Sequence, residues 1–520
     1  MQAKKILIDL SFSIWPMLSF ELDLIQQKLD EGHQVKLLYC NGSAEYCVAN
    51  NLKSLSNKKL GIVCEYCKSK FNKGIKWLEK SNNLIIEHFE LLHILQINKI
   101  SEYDNLVNKK IHVDDEILKF LESINSCLEN TIKTTMITEF NSVKFNYKEK
   151  KYFNFFKKIS KQTIISYYSS LNHFEKFHPN EVYIFNGRLY RYQPMLRVAQ
   201  SIIKDENIYT YEFPVFKFQN MMIFKKNYPH DLKTVSNELL QLCKSEKIEF
   251  SKKEEIVKNW IQSREKGDNY KHDFYGWKNK TKIGYLPKKF SHLNFNISYF
   301  MSTETEFLGI PENEKDFTFK NNLKIIEAIL MKVKNKSNIF LTVKTHPNKN
   351  NDSMIDLNRL NELKNRYPNM LIVEPTSTTD SYHLVKSSNL VIVACSTIGI
   401  EAAYYKKNVI SIGNSLYMSF GAVKNISDYK ELNLLLDKCI KNNFENFPSD
   451  TEKYKRAVDF IYTYINFNFK SKFLIKHNYK DEIMIRNEKI YKLEPDGTIK
   501  YLYKFYCLLR IIFKKIKFYI

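Results

Sequence analysis

The pattern that best indicates the fold class is Val391-Ile-Val-Ala-Cys-Ser-Thr-Ile-Gly-Ile-Glu-Ala402. It begins with β-branched and apolar residues, as a buried parallel strand does, and the residues after its glycine are typical of a helix. Ser396 and Thr397 lie in the turn between them. Because the first amides of a helix lack backbone partners and meet the positive end of its dipole, such a turn can hold a phosphate. An ordinary turn in an α/β core fits the stretch alone equally well.

Strand, polar turn and helix also alternate through the rest of residues 281–450, which predicts a doubly wound domain. The expected strands are 282–286, 297–302, 338–344, 370–374, 391–395 and 408–413, and the expected helices are 319–333 and 381–388. In an open α/β sheet the ligand lies at the carboxyl ends of the strands. His346 is expected at that edge, where it could donate to a phosphate oxygen; a capping or surface histidine is the alternative.

The first half of the chain shows a similar alternation. Strands are expected at 5–10, 34–40 and 208–213 and from 181 to an end at Asn186-Gly187-Arg188, and helices are expected at 18–29 and 193–203. Glycine and proline are scarce between 80 and 175, which favours helices there. We therefore predict four parts in order along the chain: an N-terminal Rossmann-like domain at 1–225 with a helical insert at 80–175, a helical connection at 226–280, the second Rossmann-like domain at 281–450, and C-terminal helices with a basic tail at 451–520.

Polar side chains also follow two strands of the first domain. Asn186 and Arg188 follow one strand and Glu212 ends the next, so the three are expected to share an edge. An arginine there can bind a carboxylate or phosphate, and Glu212 can accept a proton from a hydroxyl. A salt bridge between Arg188 and Glu212 is the alternative. Glu304, in an acidic turn after another strand, is a second candidate base or a solvated turn carboxylate.

Four cysteines lie within a short part of the first domain, at Cys40, Cys47, Cys64 and Cys67. Four thiolates can bind zinc tetrahedrally. The spacing of the first pair is longer than in usual zinc sites, and the alternative is a set of cysteines without metal. Nine cysteines in 520 residues, an odd number, favour a reducing cytoplasm.

Composition limits the classes of partner. The formal net charge of +23, from 80 basic and 57 acidic residues, suits nucleic acid, an anionic membrane surface or acidic substrates. No zinc-finger spacing, aromatic RNA-binding motif or basic recognition helix is present, so nucleic acid is not expected as a partner. Residues 500–520 combine cations with aromatic and aliphatic residues, which is typical of an interfacial helix on anionic lipid or of a packed terminal helix. A secretory signal is not expected at the N-terminus, and the sequence has no apolar run of about 18 residues.

Several segments together resemble the bacterial capsule and lipopolysaccharide biosynthesis glycosyltransferases with a GT-B fold. The resemblance spans roughly residues 1–70 and 180–430. It is carried by Phe185-Asn-Gly-Arg188 with Tyr211-Glu212, by Ser302-Thr-Glu-Thr-Glu-Phe307 with His346-Pro347, by Asp380-Ser-Tyr382 with Ser396-Thr-Ile-Gly-Ile-Glu-Ala402, and by Gly32-His-Gln-Val with the cysteines at 40–67. The His-Pro and Ser-Thr pairs are also similar to motifs of sialyltransferases and Kdo transferases, which use CMP-activated sugars.

The resemblance implies an α/β GT-B fold, in which two Rossmann-like domains face a cleft and the second holds the donor. His346, Ser396 and Thr397 would then contact the donor phosphate, and Glu401 a ribose or sugar hydroxyl. The remaining predicted donor residues are Ser302, Lys344, Ser381 and Gly399. The sequence departs from the family at Lys344-Thr345, where relatives commonly have Arg, and at Lys406-Lys407-Asn408, where they have Gly-Lys-Pro.

These patterns predict a metal-independent glycosyltransferase without a cofactor. It would transfer a sugar from a nucleotide sugar, CMP-linked in preference to UDP-linked, to a lipid-linked or growing surface polysaccharide. The expected location is the cytoplasm, with attachment to the inner face of the membrane through residues 500–520 as a further option. The alternatives are a nucleotide-sugar epimerase of similar fold and a non-catalytic protein that binds glycan or membrane.

Overall fold

The computed structural model divides the chain into two compact units. The first contains residues 1–136, 145–229 and 468–520, and the second contains 137–144 and 230–467. The residues that the structure describes are 2–10, 17–47, 61–78, 81–212, 221–225, 229–266, 282–287, 290, 295–305, 319, 321–346, 351–375, 377–467, 470–477, 482–495 and 497–504.

The first unit is built on a six-stranded sheet. Its strands are β1 (Lys5–Asp9), β2 (Gln34–Tyr39), β3 (Leu84–His88), β4 (Glu181–Phe185), β5 (Ile208–Glu212) and β6 (Met222–Lys225). Their order is β3-β2-β1-β4-β5-β6, and β6 alone pairs antiparallel within this sheet. The chain first builds outward from β1 to β3 and then returns to the other side of β1. The sheet therefore has a topological switch point between β1 and β4.

Helices cover this sheet. They are α1 (Leu18–Asp30), α2 (Gly61–Trp77), α3 (Ile94–Asn108), α4 (Asp115–Ile124), α5 (Cys127–Phe140), α6 (Lys150–Phe177) and α7 (Tyr192–Ile202). Gly32, at φ +82°, ends the turn after α1, as the sequence predicts. The expected helical region of residues 80–175 begins instead with β3, which forms the edge of the sheet. Its Leu-Ile-Ile run is only half-buried, so its composition does not separate an edge strand from a helix.

The second unit contains another six-stranded sheet, and all of its pairings are parallel. Its strands are β7 (Phe295–Phe300), β8 (Ile339–Lys344), β9 (Met370–Val373), β10 (Leu390–Ala394), β11 (Asn408–Ile412) and β12 (Lys424–Ile426). Their order is β12-β11-β10-β7-β8-β9, which places the switch point between β7 and β10. β10 is fully buried, as its continuous apolar run predicts.

The helices of the second unit pack against this sheet and one another. They are α8 (Leu232–Ser245), α9 (Phe250–Glu265), α10 (Asn322–Val333), α11 (Asn351–Arg366), α12 (Ser381–Lys386), α13 (Ile398–Tyr404), α14 (Tyr429–Cys439) and α15 (Asp450–Asn466). The predicted strand at 282–286 is wrong. That segment is a turn in which the amide of Tyr285 donates to the carbonyl of Lys282 at 3.0 Å. β12 was missed because it has only three residues.

After α15 the chain returns to the first unit as a three-stranded antiparallel sheet. Its strands are β13 (Leu474–His477), β14 (Glu482–Arg486) and β15 (Lys489–Lys492). The buried carboxylate of Glu482 pairs with Lys70 of α2 and accepts the amide of Ser19 of α1 at 3.0 Å. Only helices and a tail were expected after residue 451. These strands have only four or five residues each and include charged ones, so alternation does not reveal them.

The two parallel sheets confirm the predicted α/β class of two Rossmann-like domains, the composition of a GT-B fold. Both sheets have the same strand order when counted from their own first strand. Among the described residues, no helix has the length and apolar character needed to cross a membrane.

Candidate functional site

The switch point of the second unit is fixed by polar contacts between β7 and β10. Ser302 follows β7, and its buried hydroxyl donates to the carbonyl oxygen of Ala394, the last residue of β10. The side-chain amide of Asn322 donates to the Ser302 carbonyl at 3.0 Å, and the Tyr299 hydroxyl donates to Oδ1 of Asn322 at 2.7 Å. The Ser302 proton is therefore used to hold two strand ends together. Its Oγ can therefore contact the nucleotide-sugar donor only as a hydrogen-bond acceptor.

The turn after β10 has an unusual backbone. Cys395 has φ +59°, a left-handed conformation that costs a non-glycine residue energy and is found preferentially at functional sites. Ser396 and Thr397 follow it, are half-buried and precede α13. The structure therefore places both predicted hydroxyls at the carboxyl edge, beside Ser302.

Gly399 has a packing role in this turn. A Cβ added there would lie 2.5 Å from the Tyr417 hydroxyl oxygen and 2.8 Å from Cγ2 of Val393. The Gly399 amide donates to the Ser396 carbonyl at 3.1 Å, and the Tyr417 hydroxyl donates to the same oxygen at 2.7 Å. The glycine is therefore explained by close packing, and its amide already has an acceptor. A direct donor contact of Gly399 stays a prediction.

Glu401 is enclosed by a buried network of polar contacts. It is 0 % exposed, its Oε1 lies 2.9 Å from Nη2 of Arg264, and its Oε2 accepts the Tyr382 hydroxyl at 2.5 Å. Nε of Arg264 also donates to the Tyr382 oxygen, at 3.1 Å. A buried carboxylate needs such a charged partner. The network anchors α13 to α9. The predicted ribose or sugar contact of Glu401 stays a prediction, and no sequence pattern linked Arg264 with Glu401.

The end of β8 brings positive charge to the same edge. β8 pairs with β7, so Lys344 lies beside Phe300, and the half-buried His346 comes two residues later. Burial lowers the pKa of the Lys344 ammonium to about 8, and the charge of Asp380 opposes this shift. Thr345 between them is fixed by its amide and hydroxyl, which donate to the Val373 carbonyl at 3.0 and 2.9 Å. Pro347 lies outside the described residues.

Ser381 is the first residue of α12, and Asp380 is the cap of that helix. Oδ1 of Asp380 accepts the amides of Tyr382 and His383 at 2.9 and 3.3 Å. Its other oxygen accepts the Gly284 amide at 2.9 Å. Asp380 is therefore the N-cap of α12, which lies within the helix that the sequence predicts at 381–388. The predicted contact of Ser381 with the nucleotide-sugar donor stays a prediction.

The predicted edge of the first unit is also formed. Asn186 and Glu212 end neighbouring strands, and the Asn186 side-chain amide donates to the Glu212 carboxylate. Asn186 has φ +56°, and its backbone amide donates to the Tyr211 carbonyl at 2.9 Å. Arg188 follows, half-buried. Glu304, the second candidate base, is half-buried beyond β7 in the other unit.

Sequence reasoning missed a buried ion pair at the switch point of the first unit. Asp9 ends β1, and its Oδ1 lies 2.5 Å from Nη2 of Arg191, which precedes α7. Burial raises the pKa of the Asp9 carboxyl to about 6, although the Arg191 charge lowers it. The Tyr211 hydroxyl lies 2.9 Å from the Asp9 carbonyl and 2.6 Å from Oε1 of Glu21. The available signal was an aspartate within an otherwise apolar strand.

The four clustered cysteines line one cavity in the first unit. The Gly42 amide donates to Sγ of Cys40 at 3.3 Å, and burial raises the pKa of the Cys64 thiol to about 11, which opposes the thiolate that zinc would need. Within the described ranges, no three His, Cys, Asp or Glu side chains form a possible metal site. The geometry therefore does not support the zinc alternative.

The beginning of the basic tail packs on the protein. Tyr503 stacks on Tyr66 of α2, with ring centroids 4.2 Å apart and planes at 25°. This contact agrees with the packed alternative for residues 498–504. Residues 505–520 lie outside the described residues, so membrane attachment through the tail stays a prediction.

Comparisons with known proteins give only distant similarities. No family model and no curated protein sequence matches the chain. Among solved structures, the chain is similar to the β-Kdo 2,7 transferase KpsC of Thermosulfurimonas dismutans, with 14% identity, 63% of this chain and 86% of that chain covered, and a TM-score of 0.34. It is similar to a glycosyltransferase from Rickettsia africae (12%, 90% and 95%, TM-score 0.28) and to a UDP-GlcNAc 2-epimerase from Neisseria meningitidis (11%, 89% and 99%, TM-score 0.27). Similarity at this level says nothing about the activity of this chain.

Proposed function

We propose that the protein is a glycosyltransferase that takes a sugar from a nucleotide-sugar donor. The observation that supports this most is the set of side chains at the carboxyl edge of the second unit. Lys344 and His346 follow β8, Ser302 follows β7, and Ser396 follows β10, and these three strands are adjacent. A cation, an imidazole and hydroxyls at a topological switch point form a suitable site for a nucleotide phosphate.

The chemistry of sugar transfer explains why these groups are useful. When the nucleotide leaves, negative charge develops on its phosphate, and fixed donors that are already in place stabilise that charge. Lys344 and His346 would supply hydrogen bonds and positive charge, and the hydroxyls of Ser396 and Thr397 would orient the phosphate. We propose that no metal ion takes part in the transfer.

Glu212 is the proposed general base for the acceptor hydroxyl. Its carboxylate is half-buried at the end of β5 and is oriented by the Asn186 amide. A base must be both positioned and accessible to the proton that it takes, and Glu212 meets both conditions. We propose a CMP-linked donor, an acceptor that is a lipid-linked or growing surface polysaccharide, and a place at the inner face of the cytoplasmic membrane. These finer statements rest on the sequence resemblance.

Thermal shift with CMP, CDP, UDP and GDP tests the donor site, because a ligand that binds only the folded protein raises its stability. CMP should raise the melting temperature of the full chain, and Lys344→Met should reduce that shift. Lys332→Met, at a surface salt bridge on α10, is the matched control and should keep it. A shift with UDP alone would overturn the CMP preference. If no nucleotide shifts the wild type, the proposed donor site is wrong.

Turnover measurements distinguish sugar transfer from epimerisation and from binding without catalysis. Glu212→Gln should lower kcat by about 10²–10⁴ without changing nucleotide affinity, because general-base catalysis contributes on that order. Glu206→Gln, on the turn before β5, is the control. Conversion of a sugar nucleotide without any acceptor would instead identify an epimerase. Nucleotide binding without turnover of any donor would favour a binding protein.

A further inference from the structure

A cavity in the first unit lies over the carboxyl ends of four adjacent strands. Leu10 follows β1, Cys40 follows β2, Phe89 follows β3 and Arg191 lies in the loop after β4; all four line it. Helices α2 and α6 provide the other walls through residues such as Val63 and Ile165. This is the sheet edge at which open α/β domains bind ligands. None of the predicted site residues except the four cysteines lies on this cavity.

The cavity contains polar atoms that the protein leaves without partners. Arg191 is 4% exposed, and within the described part of the chain only its Nη2 has an acceptor, which is Asp9. Nε2 of His88, which also lines the cavity, is likewise buried without a hydrogen-bond partner among the described residues. Buried polar groups are normally paired, so an orphaned group at a cavity is explained by a ligand or water.

Much of the remaining wall is apolar and aromatic, and Lys68, Glu90, Gln162 and Ser166 also line it. The Arg191 guanidinium lies over the Phe89 ring, 4.6 Å from its centroid, and Tyr39 stacks on Phe71 at 4.5 Å. Stacking of this kind leaves the edge of the planar guanidinium free for in-plane hydrogen bonds. An oxyanion can accept two parallel bonds from such an edge. Apolar walls beside it favour a ligand whose remaining body is compact and apolar.

We propose that this cavity binds a small organic anion, with its carboxylate or phosphate on Arg191 and its apolar body against Phe89 and Phe71. Asp9 holds the guanidinium in place from the side of β1. A buried ion pair contributes little to stability compared with apolar packing, which agrees with a binding role for this one. The inference does not depend on the proposed transferase activity.

The cavity supplies its own reporters, because Cys40, Cys47, Cys64 and Cys67 line it. Alkylation of the full chain by N-ethylmaleimide, followed by peptide mass spectrometry, measures the accessibility of each thiol. Benzoate and phenyl phosphate are the anionic probes, and benzamide is the neutral isostere of benzoate. Cys127 and Cys243, which are not on the cavity, control for a general change in stability.

Benzoate or phenyl phosphate should slow alkylation of the cavity thiols by fivefold or more and leave the two control thiols unchanged. Protection by only one of the two anions supports the proposal and separates a carboxylate site from a phosphate site. Equal protection by benzamide, or no protection by either anion, would overturn it. Equal slowing at Cys127 and Cys243 would also overturn it, because the anions would then act on the whole fold.

Two variants test the role of Arg191. The double change Asp9→Asn with Arg191→Gln removes both charges together and should abolish protection by the anions. Arg197→Gln, on α7 away from the cavity, is the matched control and should retain it. If the double variant does not fold, Cys67→Phe fills the cavity from α2 and leaves the ion pair intact. Loss of benzoate binding to that variant by calorimetry supports the site, and unchanged affinity contradicts it.

Discussion

The two sheets of this protein have the same strand order but differ in the net charge at their switch points. In the first unit, Asp9 and Arg191 meet at the switch point as a buried ion pair. In the second unit, the corresponding edge has Lys344 and His346, which are half-buried. Burial shifts both titrating groups toward their neutral forms, raising the pKa of Asp9 and lowering that of Lys344.

This difference teaches that topology locates a binding edge and side chains decide what the edge binds. A compensated pair such as that of the first unit keeps little net charge, so it orients a ligand through hydrogen bonds. A cation of the second unit carries charge that a bound phosphate would neutralise. The following changes test this contrast, beginning with the largest expected effect.

Breaking the pair of the first unit should have the largest effect. Arg191→Met leaves the Asp9 carboxylate buried without its cation, and loss of one partner of a buried pair costs about 3–5 kcal/mol. Urea denaturation should show a fall of this size in the free energy of unfolding. The double change Asp9→Asn with Arg191→Gln should recover most of it, because no buried charge remains. A loss below about 1 kcal/mol in Arg191→Met would contradict a buried, compensated pair.

The Glu401 network should matter for stability and not for the donor. Glu401→Gln keeps an acceptor for the Tyr382 hydroxyl but removes the charge opposite Arg264. The free energy of unfolding should fall by about 1–3 kcal/mol, the usual cost of a buried group that loses its charged partner. Nucleotide affinity by calorimetry should stay within about twofold of wild type, since the carboxylate is enclosed. A large affinity loss with unchanged stability would support the ribose contact.

Lys344→Met should weaken nucleotide binding by about tenfold, since a hydrogen bond to a charged group contributes about 1.5–3 kcal/mol and the site is partly open to water. Lys344→Arg keeps the charge and should retain most of the affinity. Lys332→Met should again have no effect. Isothermal titration with the nucleotide that gives the largest thermal shift measures all three. Equal affinity in wild type and Lys344→Met would remove the contrast between the two edges.

The sequence predicted the parts of the fold that depend on local pattern. β10 is a continuous apolar run, β1 and β8 are largely apolar, and Gly32 marks the end of the turn after α1. β3 and β12 were missed because one is half-buried and the other has three residues. The last small sheet is held by buried contacts such as Glu482 with Lys70, which join residues far apart in the chain.

The candidate site was predictable to the level of the edge and not of the individual contact. Ser302, His346 and Ser396 each follow a strand, and parallel pairing brings the three strand ends together. Whether a side chain faces a ligand or the core depends on partners elsewhere. Arg264 lies more than a hundred residues before Glu401, so the ion pair that encloses Glu401 had no local signal.

The smallest expected effect is the dependence of nucleotide affinity on pH. The pKa of Lys344 is about 8 in the folded protein, so its ammonium is mostly charged at pH 7 and mostly neutral at pH 9. Because a bound phosphate favours the charged form, affinity should fall by up to about tenfold between pH 7 and pH 9, and binding should take up a proton within that window.

Calorimetry in two buffers of different ionisation enthalpy measures that proton. In Lys344→Met the proton uptake on binding should disappear, and the nucleotide affinity should not change with pH over the same range. The nucleotide affinity of Lys344→Arg should also be independent of pH in this range, but at the higher value, because a guanidinium stays charged at pH 9. If the pH dependence persists in both variants, another group titrates with the phosphate. The charge of the second edge would then not reside on Lys344.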